Sequence, residues 1–382
     1  MTDVVQLFSG VGVIIDEAIN EENSSPNGIQ KIIESFESKH IPLIKYTELP
    51  DEYVEQFHSI SFVILDWNLS GEAVIPDATI DDNIDFIKNL KKYCFVPIFI
   101  FSDEDSHAIE IKLEEKGINI SKYPIFVKSK NELDTSDKLF EEISKWLKDT
   151  PSIYVLKEWE NAERKAKNQM LWDLSVIHSA WPNVMMQSIH DDGGDKHIEL
   201  MHLLQNNLSY RIKNPRFDDN IINNSLVGIS KDELRRLLEC ERFIPNVSLP
   251  EHPFAGDIYI INEKYYLNIR PDCDIVRSPE DKQMYLIKGK VIDESKINKE
   301  DVDSITFDSG EFIEKNNNCY VAFVNGKILC FSFRDLELKK WKDIKNNRKG
   351  RLLPPYITKI QQKYSAYLQR QGLPSIPNQA II

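Results

Sequence analysis

The sequence predicts an α/β protein in which a doubly wound, five-stranded parallel sheet is followed by a helical region and a small antiparallel β domain (α+β). Three observations indicate this order. Residues 1–150 alternate between apolar runs and helical periodicity, residues 155–208 keep a helical period, and the chain beyond residue 250 alternates with a period of two. A chain of 382 residues also exceeds one ordinary core, so two or three domains are expected.

The first 150 residues carry five apolar runs separated by polar loops and helical stretches. Residues 62–65 run directly into Asp66, and a continuous apolar run of this kind is typical of a parallel strand buried on both faces. Strands are predicted at 11–15, 41–46, 61–65, 96–101 and 124–127, and helices at about 29–38, 52–57, 84–93, 108–116 and 132–148. Such alternation predicts a doubly wound sheet.

The periodicity changes twice after residue 150. Residues 155–208 read as helices broken at Pro182, and a further helix is predicted at 231–240. A hairpin is predicted over 256–269, and Asn325-Gly326 marks a second hairpin turn. Further strands are predicted at 285–292, 320–324 and 327–333, with a last helix at about 356–370. The predicted domains are therefore 1–150, 151–248 and 249–382.

Composition places the chain among globular proteins, with 41% hydrophobic and 28% charged residues. No apolar run approaches the roughly 20 residues that span a bilayer, and residues 1–3 lack the basic flank of a secretory signal. Five scattered cysteines without a CxxC pair indicate reduced thiols rather than disulfides or a zinc site. The prediction is a cytoplasmic protein without a membrane partner.

The net charge of −14 is unevenly distributed. Residues 1–150 contain 29 acids and 14 bases, whereas residues 334–370 contain 11 bases and 3 acids. Such asymmetry indicates separate modules. The basic segment 339–351 has the charge to meet phosphates, so a DNA-binding transcription regulator is an alternative function. Nucleic acid is not the expected partner, because no helix-turn-helix is apparent and the acidic first module would repel a polyanion.

Polar side chains follow four of the five predicted strands. Because the carboxyl ends of parallel strands share one edge of a sheet, these side chains are expected to converge there. They are Asp16, Glu17, Asp66, Ser102 and Lys128. Carboxylates are suitable ligands for Mg²⁺, an aspartate can form an aspartyl phosphate, and a metal ion and a lysine can stabilise the transferred phosphoryl group.

At this point the chain resembles the receiver domain of bacterial response regulators, a flavodoxin-like fold. The resemblance is carried by residues 13–17, 63–68, 98–103 and 126–129. It implies that Asp66 accepts a phosphoryl group from a histidine kinase. It also implies that Mg²⁺ is bound by Asp16, Glu17, Asp66 and the backbone of Asn68, that Ser102 is the switch hydroxyl, and that Lys128 is the phosphate-binding lysine. Enzymatic activity would be limited to self-phosphorylation and slow autodephosphorylation.

The chain departs from the family pattern at several positions. Ser129 follows Lys128 where the family usually has proline, and Ile125 replaces the switch aromatic residue. The loops at 18–28 and 67–81 are longer than is typical. An acidic rim on an inactive receiver-like fold is the alternative interpretation of the same residues.

A second, looser resemblance is to the companion regulator of defensive two-component systems of bacteria against phage. It rests on an atypical receiver joined to a β module and on the closing segment 370–374. It implies a phosphate sink that restrains an effector protein.

Two other groups of residues are candidates for chemistry. A set of histidines and aspartates in the middle region offers metal ligands, as in HD-type hydrolases; its histidines are His178, His190, His197 and His202. However, His197 and His202 are five residues apart, which does not place both on one helical face, and core or surface histidines are the favoured interpretation. Cys273 lies between acids without an apparent base, so a turn with a buried thiol is expected instead of a nucleophile.

Overall fold

The structure is a computed structural model of the chain. It describes residues 4–21, 28–120, 122–133, 135–213, 216–222, 228–277, 283–292, 314–315 and 318–370. The chain divides into two compact units. The first unit comprises Met1–Trp172 with Leu208–Ser225, and the second comprises Asp173–Asn207 with Leu226–Ile382. The three-part division at residues 150 and 248 stays a prediction.

The predicted doubly wound sheet is confirmed in the first unit. Its strands are β1 (Gly12–Ile15), β2 (Leu43–Tyr46), β3 (Phe62–Leu65), β4 (Ile98–Ser102) and β5 (Ile125–Ser129). They are all parallel and lie in the order β2-β1-β3-β4-β5. The order reverses beside β1, so loops after β1 and β3 leave the sheet in opposite directions and open a crevice at its carboxyl edge.

Alternate side chains of the central strands enter two cores, one on each face of the sheet. Val63 and Leu65 belong to the first core, whereas Phe62 and Ile64 belong to the second. The helices that cover the faces are α1 (Val4–Leu7), α2 (Gly28–Ser38), α3 (Asp77–Tyr93), α4 (Ser106–Glu115) and α5 (Ser136–Asp149). Between β2 and β3 the chain forms a 3₁₀ helix over Asp51–Ser59.

Helix α3 begins at Asp77, seven residues before the predicted start. Its first two turns are rich in aspartate, and such a polar segment predicts a loop when only the sequence is considered. However, an acid in the first turn is favoured by the helix dipole, and Ile80 already lies buried on the inner face. The segment 67–76 is therefore shorter than the expected loop.

The first unit extends past residue 150 into helix α6 (Pro151–Ile177). Ile153 and Tyr154 are buried in the same core as α5, and the Tyr154 hydroxyl accepts a hydrogen bond from the Asp218 backbone N–H at 3.0 Å. The buried Lys157 ammonium donates to the Ser61 carbonyl at 2.7 Å. The beginning of α6 is thus an integral part of the first unit.

The second unit contains the predicted antiparallel sheet. Its described strands are β6 (Phe243–Pro245), β7 (Asp257–Ile261), β8 (Lys264–Asn268), β9 (Gln283–Ile292), β10 (Glu314–Lys315), β11 (Asn318–Val324), β12 (Lys327–Lys340) and β13 (Arg348–Leu352). They pair in the order β10-β11-β12-β9-β8-β7-β13-β6. The helices are α7 (Trp181–Asp191), α8 (Lys196–Arg211, of which the residues up to Asn207 belong to this unit), α9 (Lys231–Cys240), α10 (Asp272–Val276), α11 (Trp341–Ile344) and α12 (Tyr356–Gln369). None of the helices in the described ranges is both long and apolar enough to cross a membrane.

Candidate functional site

The backbone of the parallel sheet fixes two aspartates side by side at its carboxyl edge. The Asp66 N–H donates to the Ile15 carbonyl at 2.9 Å, and the Asp16 N–H donates to the Tyr46 carbonyl at 3.0 Å. The ladder therefore continues one residue past β1 and β3, into both aspartates. Their positions follow from the register of the strands rather than from a flexible loop.

Three carboxylates meet at this edge. One oxygen each from Asp16, Glu17 and Asp66 lies within 4.8 Å of the others, and this is the one such group among the residues that the structure describes. Asp16 is fully buried and Asp66 is 4% exposed. Asp16 Oδ1 also accepts the Ala18 N–H at 2.9 Å, which caps the 3₁₀ turn Glu17–Asn20 and orients Glu17 toward the same point.

The lysine at this site is Lys130, which corrects the assignment to Lys128. Lys130 Nζ lies 2.7 Å from Asp16 Oδ2 and 2.8 Å from Asp66 Oδ2. Lys128 Nζ instead lies 2.8 Å from Glu132 Oε2 and 3.4 Å from Glu142 Oε2. The two lysines are two positions apart, with Ser129 between them. The predicted strand ended at residue 127, so the sequence pattern placed Lys128 directly after it and favoured that lysine.

The physical reason is that β5 is longer than predicted. It continues to Ser129, so Lys128 is still within the strand and its side chain lies on the α5 face, beside Glu142. Lys130 is the first residue of the 3₁₀ turn that follows, and there the chain can direct its side chain across the edge. Gly28 permits this arrangement, because a Cβ at Gly28 would lie 3.1 Å from Lys130 Cβ.

Burial shifts the ionisation of this cluster. Burial raises the pKa of Asp16 above its ordinary value, although Lys130 opposes the shift. Burial, with repulsion from Asp66 second, raises the pKa of Glu17 to about 7. Burial alone lowers the pKa of Lys130, but attraction to Asp66 and Asp16 outweighs it, so that this pKa lies above its ordinary value. The ammonium thus stays charged while Glu17 titrates near neutrality.

The loops after β3 and β4 complete a cleft of about 230 Å³. The Asn68 N–H donates to Asp66 Oδ1 at 3.3 Å, and the Asn83 amide donates to the Trp67 carbonyl at 2.7 Å. Ser102 is 1% exposed and lines the cleft. Asn83 was not identified from the sequence, because a polar residue on an amphipathic helix carries no local signal for a contact with a distant loop.

The donor set fits a hard divalent cation. Three carboxylates face a single ammonium group, and the buried Glu17 Oε2 has no hydrogen-bond partner. A buried carboxylate oxygen without a hydrogen-bond partner has lost its hydration without compensation. Coordination to a divalent ion would provide that compensation. Mg²⁺ takes carboxylate oxygens and keeps several waters, so Asp16, Glu17 and Asp66 are the residues that would hold it, with the Asn68 backbone beside them.

The other predicted candidates do not form a comparable site. His178 Nδ1 accepts the Ala180 N–H at 3.0 Å, and the His202 ring lies 5.0 Å from the Phe254 ring. None of the four histidines belongs to a group of three possible metal ligands within the described part of the chain. Cys273 is exposed in α10, so the expectation of a buried thiol in a turn was wrong.

Part of the basic segment 339–351 serves the interior of the second unit. Arg351 Nε lies 2.7 Å from Asp257 Oδ1, and Arg348 Nη1 lies 3.5 Å from Asp257 Oδ2. Asp257 is fully buried and Arg348 is 6% exposed. These two guanidinium groups compensate a buried charge, so they are not available to nucleic-acid phosphates.

Comparison of the chain with models of protein families gave no match, and comparison with curated proteins gave none either. The geometry of the receiver-like fold and its acidic cluster therefore carries the functional argument.

Proposed function

We propose that the first unit is a receiver module in which Asp66 accepts a phosphoryl group from a partner histidine kinase in a Mg²⁺-dependent reaction. One observation carries the proposal. Asp66 clusters with the acidic pair Asp16 and Glu17 and contacts the ammonium of Lys130, at the carboxyl edge of a parallel sheet. Carboxylate nucleophile, metal ligands and cationic group are the three parts that phosphoryl transfer to an aspartate requires.

In the transfer, a carboxylate oxygen of Asp66 forms a bond to phosphorus while the bond from phosphorus to the histidine nitrogen breaks. The imidazole leaves with the electron pair of that bond and takes up a proton. Lys130 shifts from the Asp66 carboxylate to the oxygens of the arriving group, and the Ser102 hydroxyl donates to one of them. When bound, Mg²⁺ supplies positive charge that neutralises the transferred oxygens.

The residues present support this division of roles. Asp16 binds Lys130 through Oδ2 and the 3₁₀ turn through Oδ1, so it holds the ammonium in place when Asp66 is modified. Lys128, by contrast, has a positioning role at most, through Glu132 and Glu142. The proposal therefore assigns the phosphate-binding lysine to position 130.

The wider role follows from the looser resemblance alone. We infer that phosphate on Asp66 either changes contacts of the remaining chain with an effector or simply removes phosphate from the kinase, as a phosphate sink in an anti-phage two-component system. The segment 371–374, which contributed to that resemblance, lies outside the described residues. The DNA-binding alternative is weaker, because Arg348 and Arg351 are engaged with Asp257.

The test is incubation of the full chain with acetyl phosphate, with and without Mg²⁺, followed by intact-mass measurement. We expect one added phosphoryl group that requires Mg²⁺ and is absent in Asp66→Asn. Asp103→Asn is the matched control, since Asp103 lines the same cleft but is not in the carboxylate cluster, and it should still be phosphorylated. Phosphorylation that persists in Asp66→Asn would move the acceptor elsewhere and contradict the proposal.

A further inference from the structure

The walls of the cleft at Asp66 carry charges of mainly one sign. Its lining contains five carboxylates and one ammonium group, a formal charge of −4 when all are ionised: Glu17, Glu21, Asp66, Asp103, Glu104 and Lys130. The acids come from the loops after β1, β3 and β4. Asp66 is buried, and the four acids that are not buried form the acidic rim of the cleft: Glu17, Glu21, Asp103 and Glu104. One divalent cation in the carboxylate cluster would still leave a charge of −2. A cleft lined by one sign of charge repels approaching ions of that sign.

The floor of the same cleft is built for an anion. Ser102 is 1% exposed; its Oγ accepts the Glu104 N–H at 3.5 Å, and none of the described residues accepts its proton. The Lys130 ammonium lies nearby on Asp66. These two donors suit phosphoryl oxygens, whereas the acidic rim opposes the entry of a free anion. A phosphoryl donor can therefore pass the acidic rim and still bind at the floor when its phosphoryl group is anionic and the surface around that group is cationic.

We propose that the natural phosphoryl donor presents its phosphohistidine on a positively charged protein surface, and that anionic small-molecule donors react slowly because the rim repels them. This inference rests on the proposed function and adds the chemistry of the partner. Because the Debye length is about 8 Å at physiological ionic strength, rim charges act on a donor only at close range. Added salt should therefore slow phosphoryl transfer from a cationic protein surface and accelerate transfer from anionic small molecules.

The experiment compares two synthetic phosphohistidine peptides, one with lysines and one with glutamates around the histidine, as donors to the full chain with Mg²⁺. At low salt we expect the lysine peptide to phosphorylate Asp66 about tenfold faster, within the range of electrostatic steering. High salt should slow the lysine peptide and accelerate both the glutamate peptide and acetyl phosphate. Initial rates from intact mass give all of these values.

A rim variant shows where the effect arises. In the double variant Asp103→Asn with Glu104→Gln, the difference between the peptides should shrink several-fold. The matched control is Glu114→Gln with Glu115→Gln, which changes the net charge equally at exposed positions on α4, and it should leave the difference unchanged. Equal rates for the two peptides at low salt, or an equal effect of both double variants, would overturn this inference alone. Absence of phosphorylation with every donor would overturn the proposed function as well.

Discussion

Lys130 holds the two buried aspartates of the site together. Its ammonium lies within 2.8 Å of an oxygen of each, and it is itself buried. A buried charge of this kind is stable only because its partners are charged as well. The same contacts place it beside the carboxylate that would carry the phosphoryl group, so the proposed function gives this one side chain a chemical role in addition to its structural one.

The two lysines provide a matched pair for mutation. Lys130→Met should reduce the rate of Asp66 phosphorylation by acetyl phosphate about 100-fold, since one charged contact to the transferred oxygens is lost. Lys128→Met should change the rate less than about twofold, because that ammonium contacts Glu132 and Glu142 instead. Initial rates of phosphorylation from intact-mass measurements distinguish the two lysines, and circular dichroism controls for correct folding of each variant. A larger effect at position 128 would reverse the assignment.

Glu17 should make stability depend on pH. Its pKa is raised from 4.5 to about 7, so between these values the folded state retains a proton that the unfolded state releases. The free energy of unfolding in the absence of divalent ions should therefore fall as pH rises through this window. Thermal unfolding at several pH values should show a shallower fall in Glu17→Gln. The slope would not become zero, because burial raises the pKa of Asp16 in the same direction. A slope unaffected by the substitution would contradict this origin.

At the level of elements, β3 and α6 connect the site to the opposite edge of the sheet. β3 ends at Leu65, directly before Asp66, and the carbonyl of Ser61, just before the first residue of the strand, accepts a hydrogen bond from Lys157 on α6. Burial lowers the pKa of Lys157, while Glu160 at 2.9 Å opposes the shift. Helix α6 is thus fastened to the strand that bears the candidate phosphoacceptor.

Replacement of Lys157 tests this attachment. Lys157→Met keeps the aliphatic volume but removes the donor to Ser61, and it should lower the free energy of unfolding of the first unit by about 1–2 kcal/mol. Lys167→Met is the control, since Lys167 is exposed on the same helix, and it should stay within about 0.5 kcal/mol of the unmodified chain. Urea denaturation measures both. Equal stability of the two variants would show that the contact contributes nothing net.

The whole molecule contains two units with separate cores. The cores of the first unit lie on the two faces of the parallel sheet, and those of the second contain the antiparallel strands and the helices packed on them. Charge is divided in a related way, since residues 1–150 hold 29 of the 61 acids but only 14 of the 47 bases. The acidic excess belongs to the unit that holds the candidate metal site.

Magnesium should therefore stabilise one unit selectively. At a Mg²⁺ concentration ten times the dissociation constant, the first unit should gain about 1.4 kcal/mol, because the ion binds the folded state. Calorimetry should show that only the transition of the first unit shifts, and that Asp66→Asn removes the shift. The gain should be larger at pH 8 than at pH 6, because the metal competes with the proton on Glu17. A uniform shift of all transitions would argue against a specific site.

Much of the fold could be predicted from local patterns. The apolar runs and their polar endings predicted all five parallel strands, and Asn325-Gly326 marked the hairpin between β11 and β12. Element ends were less certain: α3 began seven residues early, and β12 continued to Lys340 instead of ending at Phe333. Ends depend on capping and on neighbouring strands, which a local pattern does not contain.

The sequence by itself determined that Asp16, Glu17 and Asp66 lie at one edge, because parallel strands bring their carboxyl ends together regardless of the detail of their loops. Only the tertiary structure decided which lysine joins them. An extension of β5 by two residues leaves Lys128 on the α5 face and makes Lys130 the first residue of the turn. The same holds for Arg348 and Arg351, whose partner Asp257 is about 90 residues distant in sequence. Tertiary packing determines which charges pair over such separations, and the local periodicity of the sequence contains no information about that packing.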